Sequence, residues 1–169
     1  MPFATHHGHR IHYERTGRGT PVVLAHGMFS SLEGWKRNGW IDRLSTHHLV
    51  LAVDSVAHGA SDCPEDPACY QRPERVADLL SVLDEEGLDG AHFVGYSMGA
   101  WMVSGVATEA PGRLLSLTVG GWDVDEGLRL PKEQFRGTAG GELTFDALAA
   151  SVAAAAPILQ EAMQVADRQ

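Results

Sequence analysis

Ser97 sits in Val94-Gly95-Tyr96-Ser97-Met98-Gly99-Ala100, a Gly-x-Ser-x-Gly pattern. An apolar, strand-like run (Ala91 to Tyr96) precedes the serine and a helix-like run (Ala100 to Ala107) follows it. A serine held on a sharp strand-to-helix turn has an exposed Oγ, and the next residue's N–H faces the same space, where an oxyanion can form. In so tight a turn the residues two before and two after the serine crowd neighbouring backbone, so glycine suits positions 95 and 99. The chemistry is nucleophilic acyl transfer. It needs a base, usually a histidine oriented by a carboxylate, to take the hydroxyl proton. Two N–H donors aimed at the tetrahedral oxyanion would contribute ~3 kcal/mol each.

The other residues with chemical potential are histidines and cysteines. Four of the nine histidines (His6, His7, His9, His12) cluster near the start of the chain. On a strand His7 and His9 share a face, but no carboxylate or cysteine stands at ligand spacing beside them. They read as a solvated hairpin, and no metal is expected. Cys63 and Cys69 flank the acidic loop Pro64-Glu65-Asp66-Pro67. Two cysteines make neither a disulfide framework nor a zinc site, so both read as free thiols of a cytoplasmic protein.

The elements that must hold Ser97 follow from the apolar periodicity. Residues 3–16 read as a hairpin, Phe3 to His9 against Ile11 to Thr16. Val22-Val23-Leu24-Ala25 and His48 to Val53 are short continuous apolar runs, the mark of strands buried on both faces in a parallel sheet. The first ends at His26-Gly27-Met28-Phe29 and the second at Asp54. Ser30-x-x-Glu33 is a capping box opening a helical segment striped by Trp40, Ile41 and Leu44, with Asn38-Gly39 as a break. Pro73 reads as a first helical position. Val76, Leu79, Leu80 and Leu83 make an amphipathic helix stopped by Gly87 or Gly90. Leu114 to Val119 is one more apolar strand. From Val124 onward glycines and an alanine-rich run (Phe145 to Ala156), broken by Pro157, read as helical.

Alternating strands and helices imply an α/β fold with a mostly parallel sheet, whose ligands bind beyond the carboxyl ends of the strands. His26, Asp54 and Ser97 all stand at such ends. Of the 169 residues, 44% are hydrophobic and 21% charged, an ordinary globular composition. A net charge of −9 argues against nucleic-acid or anionic-membrane binding. The start Met1-Pro2-Phe3 has no signal-peptide character, no apolar run reaches transmembrane length, and no glycine fingerprint for nucleotides follows the early strands.

His26-Gly27-Met28, Asp54-x-x-x-His58-Gly59-x-Ser61-Asp62 and Gly95-Tyr96-Ser97-Met98-Gly99, in this order, resemble the N-terminal part of the α/β-hydrolase fold superfamily, of the serine-nucleophile type. The resemblance covers roughly residues 10–123. It implies Ser97 as nucleophile and the N–H groups of Met28 and Met98 as the oxyanion hole. His26 would shape the turn that carries Met28, and Asp54 and His58 would fix their loop. Ala57 stands where the family often has glycine. A serine at the elbow implies hydrolysis of a small ester or related acyl substrate, without a cofactor.

That family places the acid and then the histidine after the serine. No histidine follows Ser97 in this chain. The expected division is a partial hydrolase core, 1–123, cut after the strand that follows the elbow, and a helical cap-like segment, 124–169; a full domain of this type runs to roughly 200–250 residues. Secondary candidates for base or acid are His26, His58 and Asp123. A complementing chain or second copy pairing along the Leu114–Val119 edge is another source. The alternative is a non-catalytic remnant or interaction scaffold that uses this edge. Trp101, Met102 and Trp122 read either as lining of an acyl site or as core.

Overall fold

A computed structural model describes residues 2–122. The segment 124–169, with its expected helices, and Asp123 lie outside the described residues.

Six strands form one sheet: β1 (Phe3–His6), β2 (His9–Gly17), β3 (Thr20–Ala25), β4 (His48–Val53), β5 (Ala91–Tyr96) and β6 (Leu114–Gly120), in the spatial order β1-β2-β4-β3-β5-β6. The two pairings of β2 are antiparallel, and those of β3 with β4, β3 with β5 and β5 with β6 are parallel. The sheet is mostly parallel with an N-terminal hairpin, as read from the sequence. The chain lays β4 on one side of β3 and β5 on the other, so the strand order reverses at β3. That reversal is where open α/β sheets form their ligand crevice.

The continuous apolar runs are explained by burial on both faces. Val23, Ala25, Leu49, Leu51, Val53 and Phe93 point to one face, where Val76, Leu79, Val82 and Leu83 of α3 (Arg72–Glu85) and Met102, Val103 and Val106 of α4 (Met98–Glu109) cover them. Val22, Leu24, Val50 and Ala52 point to the other, under Leu32 of α1 (Leu32–Arg37) and Ile41 of α2 (Trp40–Ser45). Fully burying one such aliphatic side chain contributes about 1.5–3 kcal/mol. Met102 is therefore core rather than pocket lining. No helix among the described residues is long and apolar enough to cross a membrane.

Local details differ from the reading of the sequence. The hairpin turns at His7-Gly8, both at positive φ (46° and 83°), so its first strand ends at His6 rather than His9. The cap of α1 is Ser31, whose Oγ accepts from the Glu33 N–H at 3.4 Å, not Ser30. The Leu32 N–H is taken by Asp54 Oδ1 at 2.8 Å, which sets the helix start. Gly39, in the left-handed region, separates α1 from α2 at the expected break. Helix α3 starts at Arg72, which puts Pro73 second, and Gly87 (φ 65°) follows its end.

The histidine cluster also departs from a uniformly solvated hairpin. His12 is buried, because β2 is an interior strand flanked by β1 and β4. The expectation that no carboxylate stands near His6 and His7 fails as well. Glu74, distant in sequence, reaches both through the packing of α3 on β1.

Candidate active site

Ser97 links β5 to α4 with φ 52° and ψ −115°, outside the allowed wells of an L-residue. Its N–H donates to the Gly120 carbonyl at 2.8 Å, and its carbonyl accepts from Trp101. Its side chain does not cap α4, which leaves Oγ free of the helix it precedes. The glycines at 95 and 99 answer a packing constraint. A Cβ on Gly95 would strike the Gly99 backbone, and one on Gly99 would strike the Ala25 carbonyl. This close approach lets β5 turn into α4 directly beneath β3.

The residues after β3 come to the same place. A Cβ on Gly27 would lie 3.3 Å from the Tyr96 carbonyl and 3.4 Å from Ser97 Cβ, so the Gly27 backbone rests against the elbow. The Ser30 N–H donates to the Gly27 carbonyl at 3.3 Å and closes a turn with Phe29 at φ 63°. Met28 lies in that turn, next to Gly27. Met98 opens α4, and a first-turn N–H has no partner within its own helix. Met28, Phe29 and Tyr96 are large apolar or aromatic side chains left exposed on these segments.

His26 is buried. With the Ser55 N–H donating to its Nε2 at 3.1 Å, the ring proton sits on Nδ1 and donates to the Gly27 carbonyl at 2.8 Å. Burial pushes its pKa below the usual imidazole range, and the neutral form fits these two bonds. Both nitrogens are engaged, so His26 has no lone pair to offer Ser97. His58 packs 5.1 Å from the His26 ring, and its Nδ1 donates to the Val56 carbonyl at 3.0 Å, which leaves the lone pair on Nε2.

Asp54 is a buried hub. Its Oδ1 accepts from the Leu32 N–H, and its Oδ2 accepts from His12 Nδ1 at 2.7 Å and from the Ala60 N–H at 3.0 Å. Ser61 Oγ donates to the Asp54 carbonyl at 2.6 Å and accepts from the His12 N–H at 2.8 Å. One carboxylate thus ties together β2, the start of α1 and the loop after β4. Gly59 has no room for a side chain because the Asp54 carboxylate fills that space. Ala57 takes φ 62° in this loop, the backbone region in which a glycine would be unstrained.

Sequence reasoning read His12 as part of a solvated hairpin although it is buried, and it missed Arg75 and Asp78, two buried charged residues of α3. The only signal for His12 was its place between Ile11 and Tyr13 in an apolar stretch. Arg75 Nε lies 3.9 Å from Asp78 Oδ2, beyond hydrogen-bond reach, and neither atom has another partner among the described residues. Burial pushes the Asp78 carboxyl up to about 6, although Arg75 pulls the other way.

A model of the alpha/beta hydrolase family matches residues 22–168. A putative carbamate hydrolase, RutD of Azorhizobium caulinodans, is 33% identical over 123 residues, which cover 72% of this chain and 45% of that protein. Among solved structures, Est816, described as an N-acyl homoserine lactone degrading enzyme, superposes with a TM-score of 0.65 at 28% identity, covering 72% of this chain and 46% of that one. Epoxide hydrolase A from Mycobacterium thermoresistibile gives a TM-score of 0.63 at 28% identity, over 70% of this chain and 37% of its own. The chain therefore spans less than half the length of each of these relatives.

Proposed function

Because this chain belongs to the alpha/beta hydrolase family, we propose that it carries the nucleophile half of a serine hydrolase acting on a small ester or related acyl compound. The observation that carries the reading is the backbone of Ser97, held outside the ordinary wells between two glycines that admit no Cβ, with Gly27 against it. Ser97 Oγ attacks the acyl carbon while its proton passes to a base. The carbonyl oxygen becomes an oxyanion received by the N–H groups of Met28 and Met98. As the intermediate collapses, the base returns its proton to the leaving oxygen, which departs as the alcohol and leaves an acyl-serine. Water, its proton taken by the same base, then cleaves this to acid and free serine. A serine at position 97 suits this chemistry better than epoxide opening through a carboxylate ester. The carbamate and lactone named for two relatives are acyl substrates too.

The base is the limiting part. No histidine follows Ser97, and in a triad acting as a unit the histidine alone is worth about 10⁶ in turnover. His58, beside His26, has no hydrogen-bond partner on Nε2 among the described residues. The test is turnover of a short p-nitrophenyl ester by the purified chain, beside Ser97→Ala and His58→Gln. A rate lost in Ser97→Ala is expected. A further ~10²–10⁴-fold fall in His58→Gln identifies that residue as the base. Equal rates in wild type and Ser97→Ala sink the reading.

A second reading is a non-catalytic scaffold that pairs along β6, and the open outer edge of that strand is the observation that favours it. Leu115 is exposed on this strand, and among the described residues nothing pairs with its outer edge. That reading expects a dimer by light scattering that Leu115→Lys dissociates; a monomeric wild type removes it.

A further inference from the structure

The geometry points to a divalent-cation site at the turn of the first hairpin, formed by His6, His7 and Glu74. The turn residues His7 and Gly8 both have positive φ, so the chain reverses in two residues. The reversal stacks the consecutive imidazoles, with centroids 4.1 Å apart and planes 20° from parallel. Glu74, in the first turn of α3, meets both rings with one oxygen. Its Oε2 lies 2.9 Å from His6 Nε2 and 3.1 Å from His7 Nδ1. The three ligand atoms all lie within 4.8 Å of one another.

Two imidazole nitrogens and a carboxylate oxygen are a donor set for Zn²⁺ with a coordination position left to water. Imidazole nitrogens also suit nickel and copper, and copper stands above zinc in the general affinity order. Without a cation, both rings must place a proton on the nitrogen that faces the same oxygen. A cation uses the two lone pairs and the carboxylate at once. His7 is mostly exposed, which gives the ion a path from solvent, while His6 and Glu74 are largely covered and held in place by β1 and α3.

The site is separate from the proposed hydrolysis. In the sheet order β1 stands four strand steps from β5, roughly 19 Å at ~4.8 Å per step. The ion's work is mechanical: it fastens the hairpin turn to α3, two segments far apart in sequence. His9 and Cys69 lie next door, with Nε2 to Sγ at 3.5 Å, and provide the control.

The test uses the full chain, prepared without a polyhistidine tag and stripped with chelator, titrated with Zn²⁺ by calorimetry and followed in parallel by thermal unfolding. One equivalent should bind and raise the Tm. Glu74→Gln and His7→Gln should each weaken binding by at least ~10-fold. His7 is a surface residue, so its variant keeps the fold and should lose the zinc-dependent rise in Tm. The double variant His9→Gln/Cys69→Ser should bind as wild type does. No binding at millimolar zinc overturns the site. So does unchanged affinity in Glu74→Gln and His7→Gln, or loss of binding in the His9/Cys69 double variant alone.

Discussion

At the scale of single residues, the site rests on buried polar groups with unequal degrees of satisfaction. Asp54 has all its partners, and its value lies in holding three segments in register around Ser97. Arg75 and Asp78 are the opposite case, two buried charges too far apart to hydrogen-bond. The native state binds the Asp78 proton more tightly than the unfolded chain does, since its pKa moves from 3.8 to about 6. Ionising this group therefore removes stability as pH rises through that window. Asp78→Asn should gain on wild type by up to about 3 kcal/mol between about pH 4 and pH 7. Urea unfolding of both proteins across that range checks it; parallel curves would mean that Asp78 ionises normally. Neither residue was legible in the sequence, where both lie on a helix whose apolar stripe accounts for its packing without them. His12 was hidden for a related reason. Its partner Asp54 is 42 positions away, and only the insertion of β4 beside β2 brings the two together.

At the scale of elements, most of the architecture was legible because local pattern and tertiary demand agree. Val22 to Ala25 and Leu49 to Val53 have no polar face because neither strand has a solvent face. Gly95 and Gly99 could be assigned to a tight turn because the same two backbones that exclude Cβ also aim the serine. The capping of α1 slipped by one residue because Asp54, a tertiary partner, competes for the Leu32 N–H. The loop after β4 contains a correctable flaw. Ala57 is exposed at φ 62°, where an L-residue carries ~1–2 kcal/mol of strain. Glycine relieves it and loses ~0.4–1 kcal/mol through the freer unfolded chain. Ala57→Gly should stabilise the protein by about 0.5–1 kcal/mol, read as a higher urea midpoint with an unchanged m-value. A lower midpoint would show that the methyl group has a packing role.

At the scale of the whole molecule, the described residues form a two-faced core around the strand-order reversal at β3, and this core accounts for a match that covers less than half of each longer relative. One property of the sheet lies outside any contact made in the finished fold. Strands β2 and β3 follow each other across Arg18 and Gly19, yet β4 lies between them. The link must step over the start of β4, and a Cβ on Gly17 or Gly19 would strike the backbone carbonyls of residues 45 to 48. Seen as an order of events on the ribosome, this layout sets a detour. Once Ala25 has emerged, β2 and β3 are neighbours with antiparallel directions and a tight glycine link, and nothing yet separates them. A hairpin of this kind closes in ~1–10 μs. Translation at ~5–20 residues per second takes on the order of 1–5 s to reach His48. The nascent chain therefore has seconds in which to sample a pairing that its final sheet excludes, and the insertion of β4 between the two strands ends that opportunity.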